Sequence, residues 1–214
     1  MESDLSRLTE KLRRIASGVR PSADPAWSRP VAIRVVDCVL SLNRNYDCFV
    51  VPRIERLMKT HPELRSVVQL AILMSKYDNP ATFVESELNY KHDDRACILE
   101  AVVRFVCGLV RGASADKEEA VLKRWAVATK PEVYRSLNIK GFKLAGFQYL
   151  RMLFGAQTTK PDKHIIAFVS DALSRQVSAL EALELLEAAS VRAHLSIRDV
   201  DTSIWETSAR GAQS

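Results

Sequence analysis

The sequence predicts an all-α fold, and three features carry the prediction. Apolar residues recur at three- and four-residue steps along most of the chain, the spacing that lines one face of an α-helix. No segment reads as a strand, with apolar and polar residues alternating between turn residues. Only 7 of the 214 residues are glycine, which disfavours a turn-rich β architecture.

Leu5, Leu8, Leu12 and Ile15 place an opening helix that ends around Gly18, and Pro21 to Pro30 reads as a loop. Helix-length segments follow at Val31 to Leu42, Asp47 to Thr60 and Pro62 to Tyr77; His61-Pro62 separates the last two because proline disfavours a continued helix. Asp93 or Asp94 can cap a helix running to about Val110. Its apolar residues, from Ile98 through Val102, Phe105 and Val106 to Val110, cover so wide an arc that it reads as the central core helix. Segments at Asp116 to Ala128, Gly141 to Phe154, His164 to Leu173 and Ser178 to His194 follow, and Ile204 with Trp205 docks the last helix onto the core. There is no internal repeat, low-complexity tract or long linker.

The hydrophobic fraction of 47% and charged fraction of 27% are those of a globular chain long enough for a sizeable core. Met1-Glu2-Ser3-Asp4 is polar and acidic, and no segment has the uncharged apolar length of a membrane span, so the expectation is a cytoplasmic protein with no membrane partner. Cys38, Cys48, Cys97 and Cys107 form no metal-ligand pattern and read as buried reduced thiols. A net charge of +5 and a pI near 9.1 suit a polyanionic partner.

One stretch carries chemistry. Leu137-Asn138-Ile139-Lys140-Gly141-Phe142-Lys143-Leu144-Ala145 resembles the hairpin of the helix-hairpin-helix DNA glycosylases, whose pattern is L-P-G-V-G-x-K-T-A; Leu137, Gly141, Lys143 and Ala145 match. One helix later, Lys160-Pro161-Asp162-Lys163-His164-Ile165 resembles that family's V-D-T-H-I segment at Asp162, His164 and Ile165. The order and separation are also those of the family. Upstream, Val39-Leu40-Ser41-Leu42-Asn43-Arg44-Asn45-Tyr46-Asp47 resembles its early helix–loop, which puts a polar wedge into the DNA stack. Asn138 stands for the hairpin proline and Ile139 for its first glycine. Asparagine can still adopt the left-handed turn, and phosphate binding then rests more on Lys140 and the helix N-terminus. With no cysteine after Cys107, the C-terminal iron–sulfur cluster of one family branch has no ligands here.

The resemblance implies an enzyme that extrudes a nucleotide from double-stranded DNA and cleaves its N-glycosidic bond, without a metal or other cofactor. Asp162 would stabilise the positive charge that develops on the sugar and orient a water. Lys143 would attack the sugar carbon if a strand-cleaving lyase step operates. Asn43, with Arg44 or Tyr46, would fill the gap left by the flipped base; Asn138, Lys140, Gly141, Arg151, Lys160 and Lys163 would track phosphates without reading sequence. Read as residues alone, Asp162 is a helix N-cap, Lys143 a phosphate contact or a solvated lysine, Tyr46 a half-buried loop residue, and Arg151, Lys160 and Lys163 a solvated face.

The implied architecture is two helical lobes, residues 43–150 with the hairpin and residues 1–42 with 151–214, with the active site in the cleft between them and the chain a monomer. The excised base, damaged, mismatched or modified, is set by pocket shape, and a modified cytosine in foreign DNA is one expectation. The alternatives are a non-catalytic helix-hairpin-helix DNA-binding or adaptor protein, which has no need of Asp162, and a helical interaction protein with no nucleic-acid role.

Overall fold

The computed structural model describes residues 2–19 and 25–211. Every regular element among them is helical. The chain divides into two compact units, one of Met1–Asp24 with Ala156–Ser214, the other Pro25–Gly155. Residues 25–42, which the sequence reading groups with the terminal helices, belong to the second unit.

The first unit contains α1 (Glu2–Ile15), α9 (Lys163–Leu173), α10 (Ala179–Ala193) and α11 (Ile197–Gly211). The three- and four-residue spacing read from α1 buries Leu8 and Leu12 completely, against Ile165, Val169 and Leu173 of α9, Leu186 of α10, and Val200 and Ile204 of α11. Burying a leucine of this kind contributes about 1.5–3 kcal/mol, so the shared core dominates the surface ion pairs of the same unit. Those pairs join Lys11 to Asp171 and Arg175 to both Asp4 and Glu181. Ile204 enters the core as expected, while Trp205 is half-buried.

The second unit contains α2 (Val31–Leu40), α3 (Val51–Thr60), α4 (Val67–Met74), α5 (Pro80–Leu88), α6 (Asp93–Leu109), α7 (Glu118–Ala128) and α8 (Leu144–Leu153). The long α6 packs against α2, α4, α5 and α7, which makes it the central helix its apolar arc predicts. Its N-cap is His92, whose Nδ1 accepts the Arg95 amide at 3.2 Å, and neither Asp93 nor Asp94. The stretch read as one helix from Pro62 begins only at Val67, because Ser66 and Gln69 form a reciprocal capping box. The α5 start, missed in the sequence, is Asn79 accepting from the Thr82 amide with Pro80 at the first helical position. In the expected loop, residues 20–24 lie outside those described, and Pro25–Ser28 is a 3-10 turn.

Two buried charges in this unit are paired with backbone. Glu118 is fully buried and accepts from the Val67 and Val68 amides at 2.7 and 3.4 Å, closing the α4 N-terminus. Arg95 donates to the Val39 and Leu42 carbonyls, both at 2.7 Å, closing the C-terminal end of α2. All four cysteines are free thiols, yet only Cys38 is buried; Cys48 and Cys97 are exposed and Cys107 is intermediate, a correction to the expected burial.

Candidate functional site

In the second unit, residues 131–137 form a 3-10 turn that ends at Asn138 in the left-handed region (φ 49°, ψ 36°). The asparagine thus supplies the turn that its side chain tolerates better than most. Phe142 donates to the Ile139 carbonyl at 3.1 Å, and Gly141 sits at φ +86°. Because Gly141 is left-handed, the helix starts three residues later than its glycine suggests, at Leu144, with Lys143 as N-cap. No side chain caps α8, and Lys140 and Lys143 are both exposed. An uncapped helix start behind two left-handed residues offers amides and a dipole end to an anion. Ile139 lines a groove of about 480 Å³ together with Ile98 and Phe105 of α6.

The segment from Val39 to Asp47 lies in the same unit. Asn43 is exposed and left-handed (φ 53°), and Arg44 is exposed beside it. The Arg44 guanidinium donates to the Tyr90 hydroxyl at 3.0 Å and stands 5.5 Å from the Phe49 ring centre. Arg53 stands over that ring at 3.8 Å, and Phe49 meets Tyr90 edge to face at 4.8 Å. Sequence reasoning missed Phe49, Arg53 and Tyr90 because 37 to 41 residues separate the tyrosine from the other two. Tyr46 is committed elsewhere: its hydroxyl donates to the fully buried Asp37 at 2.7 Å and accepts from Arg29 at 3.0 Å. Tyr149 donates to the other Asp37 oxygen at 3.0 Å. This buried network gives Tyr46 a structural task in place of free stacking on a base. Arg151 also departs from its expected place on the phosphate track: it is buried, with hydrogen bonds to the Ala126 carbonyl at 3.0 Å and the Gln148 side chain at 2.6 Å.

In the first unit, Asp162 is the N-cap of α9. Its Oδ1 accepts from the His164 and Ile165 amides at 2.9 and 3.3 Å, while Oδ2 accepts from no described residue. The loop leading to it is held from beneath. Thr158 donates to Glu187 of α10 at 2.5 Å; Thr159 donates to Asp201 of α11, and the Lys160 amide donates to the same Asp201 oxygen at 2.9 Å. Thr158 and Thr159 are buried, as is Pro161. Burial pushes the Asp201 carboxyl up to about 6, with the nearby charge of Asp162 adding to the rise and the two donated hydrogen bonds opposing it. Lys160 is half-buried and Lys163 exposed at the head of α9. His164 is half-buried.

A dangling carboxylate oxygen on a rigid loop can stabilise a nearby cation or take a proton from water; an exposed lysine at a helix start can bind an anion or act as an amine. Among the described residues no group of three or more His, Cys, Asp or Glu could hold a metal ion. No helix among them is long and apolar enough to cross a membrane.

The protein is thus of the all-α class, with a left-handed turn leading into α8 in one unit and Asp162 capping α9 in the other. The chain belongs to the family described as Domain of unknown function (DUF8548), whose model matches residues 6–209. No curated protein and no solved structure matches the chain.

Proposed function

We propose that this chain is a DNA glycosylase that acts on an extruded base, with Asp162 as the carboxylate beside the sugar. The observation that carries the reading is the Asp162 geometry: one oxygen is consumed by two backbone amides, and the other is left to act. As the bond from C1′ to the base lengthens, positive charge builds on the sugar ring. An ionised carboxylate lowers the energy of that cation, and the free oxygen takes a proton from the water that attacks C1′, while the base leaves with the electron pair of the broken bond.

The hairpin supports the same reading. Asn138 and Gly141, both left-handed, lead into the uncapped start of α8, which suits a backbone phosphate, with Lys140 adding charge. Lys143 is the amine that would convert hydrolysis into a lyase reaction: its nitrogen bonds to C1′ as the base leaves with the electron pair, the C1′–O4′ bond then opens to an imine as the amine proton passes to O4′, and loss of a C2′ proton expels the 3′-phosphate. The non-catalytic DNA-binding alternative draws on one observation, that capping α9 is by itself a sufficient role for the bonded Asp162 oxygen.

The test is base release from duplexes carrying damaged, mismatched and modified bases, each scored with and without alkali to cleave abasic sites. The glycosylase reading expects base loss from at least one duplex. Strand cleavage without alkali that disappears in Lys143→Ala assigns the lyase step. Intact bases throughout, with salt-sensitive DNA binding retained, would move the assignment to the non-catalytic module.

A further inference from the structure

We propose that Asp201 is a positioning residue for Asp162, fixing the turn at Lys160–Pro161 from α11 and adding a second negative group close to it; this rests on the glycosylase reading above. The loop from Gly155 to Pro161 has no helical hydrogen bonding of its own, so something else must hold the residue it delivers. Two carboxylates do so. Glu187 takes the Thr158 hydroxyl, and a single oxygen of Asp201 takes both the Thr159 hydroxyl and the Lys160 amide. The Lys160 carbonyl in turn accepts the Asp162 amide at 2.7 Å. Asp201 is therefore two hydrogen bonds away from the Asp162 backbone, and any slip of the turn moves the capping carboxylate with it.

Holding the turn does not by itself require a charge. An asparagine at position 201 would present the same carbonyl-type oxygen to both donors, and burying a carboxylate is costlier than burying an amide. Aspartate at this position supplies a charge as well as an acceptor: a negative group near Asp162 adds to the potential that favours a cation at the sugar. Asp201 touches no substrate in this scheme and acts through Asp162 and its turn.

The two contributions separate by substitution. In the full-length chain, Asp201→Asn keeps the acceptor and removes the charge, Asp201→Ala removes both, and Thr159→Val removes one donor. Single-turnover base release at saturating DNA, the Kd for the same duplex, and hydrogen exchange of the Lys160 amide are measured on each. Asp201→Ala should lower single-turnover release by about 10- to 100-fold, leave Kd within about twofold, and accelerate Lys160 exchange. Asp201→Asn should keep the exchange protection and still lose part of the rate. Unchanged release in a folded Asp201→Ala protein would overturn the proposal, and so would equal losses of rate and of affinity. If the wild type releases no base, the glycosylase reading fails, and Lys160 exchange decides the positioning role alone: protection unchanged in Asp201→Ala overturns it.

Discussion

A Cβ built on Gly141 would lie 2.7 Å from Cδ1 of Ile98, so the hairpin backbone rests directly on α6. Gly141 is also at φ +86°, where a side chain is strained whatever the space. Gly141→Ala should therefore destabilise the protein by about 1–2 kcal/mol from the backbone alone, with Ile98 yielding at the flexible end of its side chain. The midpoint of urea unfolding checks this, and the same variant should bind duplex DNA more weakly because the start of α8 shifts.

Glu118 is the second position where the structure sets a magnitude. Its buried carboxylate, supplied from α7, accepts the Val67 and Val68 amides of the first turn of α4, beside the Ser66–Gln69 capping box. Glu118→Ala leaves the Val67 and Val68 amides without this acceptor and should cost about 1–3 kcal/mol. Glu118→Gln, which keeps one acceptor oxygen, should cost less. Thermal unfolding of the two variants side by side measures the difference.

The raised Asp201 carboxyl gives a pH dependence with a definite sign. Between the ordinary value of 3.8 and about 6, folded Asp201 holds a proton that the unfolded chain has lost. The contribution of this group to stability is thus largest below pH 4 and is lost as pH rises through about 6, by an amount on the order of 3 kcal/mol. Exposed carboxylates act the other way: Arg175 beside Asp4, and Lys11 beside Asp171, lower those two groups and favour the fold at higher pH. Comparing wild type with Asp201→Asn cancels the common part. Asp201→Asn should be relatively more stable at pH 7 than at pH 4, by urea midpoints across that range.

On the proposed glycosylase reading, DNA binding should weaken with salt in proportion to the phosphates engaged. Lys140 at the hairpin and Lys163 at the head of α9 are exposed and are the cations expected to meet them. Each replacement by alanine should reduce the log–log salt slope by about 1. Arg151→Ala should instead lose stability, because its guanidinium is spent on Ala126 and Gln148. Titration of fluorescent duplex at several salt concentrations distinguishes the two behaviours.

What the sequence reveals is mostly local. The head of α9 is readable because Pro161-Asp162 is a helix-start signal in consecutive residues, and α6 because its apolar arc is continuous. The misplaced starts have local causes as well: the Ser66–Gln69 capping box resets α4, and the left-handed Gly141 delays α8. Arg151 looks like a surface cation because nothing nearby in sequence announces that Ala126 and Gln148 will accept from it. The clamp on Thr159 is hidden for the same reason, since Asp201 lies 42 residues further on and only tertiary packing brings the two together. The candidate site is thus legible where it is a turn or a cap, and illegible where it is a pairing of distant helices.

The most direct test of the central claim is base release by Asp162→Asn against wild type on the duplex that wild type processes best, with the Kd measured on the same molecule. The asparagine keeps an oxygen to cap α9, so folding and DNA affinity should persist. Base release should fall by about 10²- to 10⁴-fold. Release at the wild-type rate from a folded, DNA-binding Asp162→Asn protein would contradict the assignment of Asp162 as the carboxylate that acts on the sugar.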